Sequence, residues 1–238
     1  MYAKFAQWYD LHYRSIKDYE SEVERIAYLL EKLGSKPNAI LDVACGTGEH
    51  ARILRERYGY SVDGIDLEPS LIEIAQAKNK DGDFTVADMK DFQLPKSYDV
   101  VCCLFSSIGY AETLEGLEQA IASMARHLKP GGWLLLEPWV APDEWRDGIA
   151  DATESSDEGK GVQVMQTRLG RLDGKVSEIT IDYDIKTPDE SFSFTETHRL
   201  GLFTREETEA ALEKHRFQSR YMPAGVLVNP LYVACYTP

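Results

Sequence analysis

The stretch that most constrains this chain is residues 40–50, ILDVACGTGEH. An apolar run carries an acid, Asp42, and breaks at Gly46 and Gly48 before polar residues take over. A Gly-x-Gly between a strand and a helix lets backbone approach a ligand closely and leaves helix N-terminal N–H groups facing an anion. Gly46, Gly48 and Ala51 also satisfy the literal G-x-G-x-x-G/A dinucleotide pattern, so the identity of the ligand stays open at this point.

The surrounding pattern fixes the fold class. Residues 21–33 place Val23, Ile26, Ala27, Leu30 and Leu33 at helical spacing and stop at Gly34. The spacing then predicts a strand at NAILDVA, a helix over 47–58, a strand at SVDGID, a helix over 68–80, and a strand at DFTVAD. SYDVVCCLF follows as a strand, 114–128 as a helix, KPGG as a break, and WLLLEPW as a strand. Such alternation implies βαβ units around a doubly wound, mostly parallel sheet. From Gly161 the period changes to two, with Asp173-Gly174 as a hairpin signal, so an antiparallel β meander is inserted after the fifth strand. DATESSDEGKG, residues 151–161, is expected to be a mobile acidic loop. Thr204 and Glu207 form a capping box, and SRYMPAG and LYVACY read as two closing strands. The expected division is 1–34 as cap helices, 35–140 with 201–238 as the ligand-binding domain, and 141–200 as the inserted subdomain.

The 238 residues, 43% of them hydrophobic, describe a globular protein, and the formal net charge of −14 disfavours nucleic acid and anionic membranes as partners. That argument concerns the mean field; a local basic pocket could still hold a phosphate. Cys45, Cys102, Cys103 and Cys235 lack C-x-x-C spacing and read as reduced core thiols, no metal site is expected, and the start MYAKFAQWYD shows no secretory signal. A cytoplasmic location is the expectation.

Three features separate the candidate ligands. Asp42 would be unfavourable beside a pyrophosphate but would help hold a cationic amino-acid moiety. Asp66 ends the next strand, where it can accept from a ribose diol, and VADM adds Asp88 for an adenine amine with the Met89 backbone at the ring edge. The glycine strand also follows a long N-terminal segment with its own helix, and the last two strands form a closing pair. Together they favour S-adenosylmethionine over a nicotinamide dinucleotide.

LDVACGTGEH, GIDLEPSLIEIAQAKN, ADMKDF and HLKPGGWLLLEPW resemble, in order and spacing, the motif series of class I S-adenosylmethionine-dependent methyltransferases. More narrowly, YDL, KDY, DVACGTG, DMKDF, FSSIGY, EPW and THRLGLFTREE are similar to the N,N-dimethyltransferases of nucleotide-linked amino sugars. The resemblance implies a seven-stranded Rossmann-like sheet whose last strand is antiparallel. It carries cofactor roles onto Gly46, Gly48, Asp66, Asp88 and Met89, with Leu67 packing on adenine and Ala44 and Leu104 presenting backbone carbonyls. It also implies that Tyr13 and Tyr19 close over the methionine end; ordinary helix packing would account for both as well.

For the acceptor, FSSIGY follows the fourth strand, over whose edge substrates of doubly wound folds sit. The resemblance brings Tyr110 and Tyr2 near the acceptor amine, although the offset of Tyr2 from YDL differs by one. Either hydroxyl could orient an amine, and solvent could take its proton beside a sulfonium. Glu137 can hold a sugar hydroxyl or be a solvated strand end, and Trp139 can wall a pocket or pack in the core. His198 and Arg199 lie in the meander, where Arg199 matches a phosphate or forms a surface ion pair. His127 reads as a helix-end residue. One departure stands out: the amino-sugar enzymes carry an arginine in a glycine-rich C-terminal loop, whereas this chain reads MPAGVLVNPLYVACY. The expected reaction is methylation of a small-molecule amine, giving S-adenosylhomocysteine, with a homodimer left open. O-methylation of another metabolite, a dehydrogenase, and a non-catalytic S-adenosylmethionine-binding protein are the alternatives.

Overall fold

In the computed structural model, which describes residues 4–148, 150–223 and 229–238, the glycine loop joins β1 (Ala39–Val43) to α3 (Glu49–Tyr58). Ahead of it lie α1 (Ala6–Ile16) and α2 (Tyr19–Lys32). The side chain of Asp18 caps α2 by accepting from the Ser21 N–H, and the helix buries Val23, Ile26, Ala27 and Leu30 along one face. After α3 come β2 (Ser61–Asp66), α4 (Pro69–Lys78), β3 (Phe84–Val86) and β4 (Tyr98–Cys103). A 3-10 turn at Ser107–Ala111 precedes α5 (Leu114–Arg126) and β5 (Leu128–Leu136). The insertion supplies β6 (Ala150–Asp157), β7 (Val162–Asp173), β8 (Val176–Lys186) and β9 (Ser191–Gly201), before α6 (Arg205–Lys214), β10 (Phe217–Met222) and β11 (Leu231–Tyr236). Thr204 and Glu207 close the expected capping box at α6.

The main sheet has seven strands in the order β10-β11-β5-β4-β1-β2-β3. β1 to β5 run parallel, and β11 lies antiparallel between β10 and β5. The last strand is therefore the antiparallel one. Chain order reverses between β1 and β4, so the loops at their carboxyl ends open a crevice at a topological switch point. Strand parity splits the core: Ile40, Val100 and Cys102 face α1 to α4, while Leu41, Val101 and Cys103 face α5 and α6.

Two local expectations are corrected. KPGG does not break β5: Tyr98 pairs with Leu128 and Val100 with Trp133, so a bulge absorbs the extra residues. The acidic stretch from 151 is not a loop, because β6 pairs with β7 from Ala150↔Leu169 to Asp157↔Val162. Its inward residues are small and polar, so no apolar alternation marks it; Ser155 and Thr153 instead meet the two ring nitrogens of the buried His12 at 2.9 and 3.3 Å. Burial pulls His12 down to about 4 and keeps it neutral in that role.

The four-stranded meander lays its inner face on α1, with Phe5 against Tyr183 and Trp8 against Phe192 at ring separations of 4.4 and 5.2 Å. On its other side α1 is tied to the glycine loop. Lys78 reaches both Asp10 of α1 (2.7 Å) and Glu49 of α3 (3.0 Å), and Arg14 reaches Glu49 at 2.9 Å. Burial alone would raise the Glu49 carboxyl, but hydrogen bonds from Arg52, Arg14 and Lys78 outweigh it and bring it down to about 2.

Candidate active site

A cavity of about 640 Å³ opens between α1, the meander and the carboxyl ends of the parallel strands. That volume suits a nucleoside-sized ligand together with a second small molecule. Of the residues expected at the cofactor, the cavity wall brings together Tyr13, Ala44, Gly46, Asp66, Leu67, Asp88 and Met89. Of those expected at the acceptor, Tyr110, Trp139 and His198 line the same cavity. Tyr2 lies outside the described residues, as do 224–228 of the C-terminal stretch.

Backbone strain marks the floor. Ala44, Phe105 and Ser106 all adopt left-handed conformations, at φ of 58, 54 and 58°, in the loops that follow β1 and β4. Each such residue costs roughly 1 kcal/mol or more and persists where neighbours over-determine it. Glu137 supplies that restraint: its carboxylate accepts from the Phe105 N–H at 2.8 Å and from Asn229 Nδ2 at 2.6 Å, while Ser106 Oγ donates to the Pro138 carbonyl. Glu137 is buried and does not reach the cavity wall.

Gly46 faces the cavity at φ 56°, and its N–H donates to Asp66 Oδ2 at 2.8 Å. Gly48 does other work. A Cβ there would lie 2.7 Å from Asn79 Nδ2 and 3.1 Å from the Ala75 Cβ, so this glycine lets α4 pack against the loop and stands off the cavity wall. Burial raises the Asp66 carboxyl, against the pull of the Glu68 and Gly46 N–H groups, and its oxygens stay able to accept from a diol. Leu67 is 55% exposed, Ile16 44% and Phe105 38%, an apolar rim that a bound adenine ring would cover. Asp88 accepts from the Lys90 N–H and faces the cavity with Met89.

A second, water-sized space of about 30 Å³ adjoins the first and is lined by Tyr19, Asp42, Ala44, Gly46, His50 and Leu104, among others. Tyr19 and Leu104 thus belong to this smaller space, where burial also pushes the Tyr19 phenol up. Asp42 is buried, its Oδ2 has no hydrogen-bond partner among the described residues, and burial pushes its carboxyl up to about 6. An orphaned buried carboxylate oxygen is costly, and an ammonium group satisfies it. The donor set therefore fits S-adenosylmethionine: acids for the ribose and amino group, an apolar rim for the base.

On the acceptor side, Tyr110 Oη lies 2.8 Å from His198 Nδ1, and Trp139 Nε1 donates to Ser177 Oγ. Arg199 does not join them. Adjacent strand residues point to opposite faces, so with His198 inward Arg199 is outward, where Glu112, Glu178 and Asp173 share its guanidinium. His127 is structural: Nδ1 donates to the Ser123 carbonyl and Nε2 accepts from the Leu94 N–H. Sequence reasoning missed Phe105, Arg168, Ile179, Ile181 and Leu200 on the wall. The parity of β7 carried a signal, since Arg168 falls in phase with the inward Val164 and Gln166. Lys17 was missed too; its Nζ lies 3.8 Å above the Phe105 ring and pairs with Glu22 at 2.9 Å.

Comparison with known proteins points the same way. A family model described as a methyltransferase domain matches residues 40–132. The dTDP-3-amino-3,6-dideoxy-alpha-D-glucopyranose N,N-dimethyltransferase of Streptomyces fradiae is 34% identical over 93% of this chain and 87% of its own. The dTDP-3-amino-3,4,6-trideoxy-alpha-D-glucopyranose N,N-dimethyltransferase of Streptomyces venezuelae is 31% identical over 96% of both. Among solved structures, Streptomyces venezuelae DesVI superposes with a TM-score of 0.90 at 31% identity, covering 98% of each chain. CalS10 with S-adenosylmethionine bound, an amino pentose methyltransferase from Micromonospora echinaspora, gives 0.82 at 28% identity, covering 93% of this chain and 92% of that one.

Proposed function

Since the chain belongs to the S-adenosylmethionine-dependent methyltransferases, in the family of nucleotide-linked amino-sugar N,N-dimethyltransferases, we propose that its acceptor is the amine of a nucleotide-linked amino sugar. The supporting observation is the Tyr110–His198 pair, a hydrogen-bonded polar couple that shares the cavity wall with the apolar Ile179, Ile181, Leu200 and Trp139. Apolar side chains around a polar couple suit a deoxy sugar bearing an amine.

When bound, S-adenosylmethionine supplies an electrophilic methyl group, and the amine nitrogen supplies the electron pair. The protein aligns the two and excludes water. Asp42 holds the amino-acid end, Asp66 the ribose, and Asp88 with Met89 the base, while Leu67, Phe105 and Tyr13 enclose them. Tyr110 orients the acceptor nitrogen, and Trp139 walls the sugar. The phosphate role expected of Arg199 passes to Arg168, which lines the cavity from β7 and whose Nε pairs with Asp151 at 3.0 Å. The four free thiols fit a cytoplasmic location, and among the described residues no helix is long and apolar enough to cross a membrane.

Incubation with methyl-labelled S-adenosylmethionine and a panel of dTDP-linked 3-amino and 4-amino sugars, free amino sugars and phenols tests the acceptor. Label is expected on the nucleotide-linked amines, in one or two additions by mass. Label confined to a phenol would overturn the amine reading. Parallel calorimetry should show S-adenosylmethionine and S-adenosylhomocysteine binding, and NAD not.

A further inference from the structure

We propose that Tyr110, His198 and Glu196 form a proton relay that deprotonates the acceptor ammonium before methyl transfer; this rests on the amine reading above. Glu196 and His198 fall in phase on the inner face of β9, in a run that continues to the cavity-lining Leu200. His198 is 2% exposed, its Nδ1 lies 2.8 Å from Tyr110 Oη, and its Nε2 lies 3.7 Å from Glu196 Oε2, an ion-pair distance. A buried imidazole is thus set between a phenol that faces the cavity and a carboxylate behind it. Among the described residues, the charged or titratable groups on the elements packed around it include Tyr13 on α1, Tyr183 on β8, Arg168 on β7, and Glu112 beside the 3-10 turn, the last two paired with Asp151 and Arg199.

The arrangement fixes the direction of proton flow. A phenol hydroxyl can accept a proton only while giving up its own, and Nδ1 is placed to take it. Nε2 then carries the ring's hydrogen in the neutral state and faces Glu196. In the transfer an N–H bond of the ammonium breaks as an O–H bond forms on Tyr110, and the original phenol O–H breaks as an N–H bond forms at His198 Nδ1. The imidazolium so formed is compensated by Glu196. The freed amine pair forms the N–CH3 bond while the C–S bond breaks, its electrons passing to sulfur. The product is again an ammonium, so a second methylation needs a second passage of the relay, with His198 losing its proton to solvent in between. Tyr110 is the group that touches the acceptor; His198 and Glu196 are positioning residues behind it.

The test combines turnover with a readout that needs none. With saturating S-adenosylmethionine and a dTDP-linked 3-amino sugar, His198→Asn is expected to lower kcat roughly 100-fold with KM little changed. Glu196→Gln is expected to lower kcat roughly 10-fold with KM little changed, because the imidazolium formed in the transfer loses its compensating carboxylate. Nitrogen-15 histidine spectra of the intact protein should show His198 as the Nε2–H tautomer, with its Nε2 resonance moved by Glu196→Gln and its Nδ1 resonance by Tyr110→Phe. A wild type that turns over while His198→Asn and Glu196→Gln keep its kcat overturns the relay alone, and so does an Nδ1–H tautomer. A wild type that methylates none of the amino sugars overturns the acceptor reading and the relay with it.

Discussion

Burying the Asp42 carboxyl near the end of β1 costs stability whenever it is ionised, and the proposed ammonium ligand would offset that cost. With its folded pKa raised from 3.8 to about 6, the native state binds the proton more tightly than the unfolded chain. Stability of the ligand-free protein therefore falls as pH rises from about 4 through 6 and stays at the lower level above that. Asp42→Asn should raise the thermal midpoint by several degrees at pH 7 to 8 and change it little at pH 4. The same variant should bind S-adenosylmethionine roughly 10- to 100-fold more weakly at neutral pH, about the value of one charge-assisted bond. Wild-type affinity should fall as pH drops through about 6, and the variant's should not. Calorimetry across that range decides it; an Asp42→Asn protein with normal affinity would sink the assignment. Residues of this kind were legible because each is an acid in or at the end of an apolar run, as Asp66 and Asp88 also are. His198 and Arg199 were not separable while both were read as polar neighbours, although the alternation of Phe192, Phe194, Glu196, His198 and Leu200 holds the answer. Gly48 matched a cofactor pattern, but its close neighbour is α4, a contact no local pattern encodes.

Among the elements, the turn after β4 depends on a residue from the next strand's end. Phe105 and Ser106 keep their left-handed backbone because Glu137 and Pro138, just beyond β5, bind them from the adjacent position in the sheet. Glu137→Ala would leave the Phe105 N–H without its acceptor and free a strained turn. The expected cost is about 2 kcal/mol in chemical denaturation, with weaker S-adenosylmethionine binding, since Phe105 lines both spaces. Unchanged stability would mean that the turn is held by other contacts. This role was hidden in the sequence, where a carboxylate at a strand end is equally a ligand or a solvated group; pairing with Phe105 spans 32 residues and is set by strand order alone. β6 was illegible for a related reason. Its inward Thr153 and Ser155 meet His12 from a helix more than a hundred residues earlier, so polarity in the sequence looked like exposure. The meander strands β7 to β9 were legible because alternation marks strands whose inner face is mostly apolar.

Over the whole molecule, the alternation of runs was enough to give the layers, the parallel sheet and the place of the insertion, because each follows from burying one face of every element. What it could not give is where charge lies, and charge decides how an acceptor arrives. A formal net charge of −14 surrounds a cavity whose meander wall offers Arg168. A nucleotide-linked sugar carries a diphosphate, so it meets long-range repulsion on approach and attraction only near contact. Salt screens the first more than the second, because the Debye length falls from about 30 Å at 0.01 M to about 10 Å at 0.1 M while a partly buried pair inside the cavity is screened far less. Over that range kcat/KM for a dTDP-linked amino sugar should therefore rise, on the order of several-fold, with kcat at saturation nearly constant. A free amino sugar, cationic at neutral pH, should respond in the opposite sense, as screening removes its attraction. Steady-state rates for the two acceptors at several salt concentrations supply the comparison. If the nucleotide-linked acceptor loses kcat/KM as salt rises, contact ion pairs dominate its binding, and Arg168→Gln should then abolish that loss.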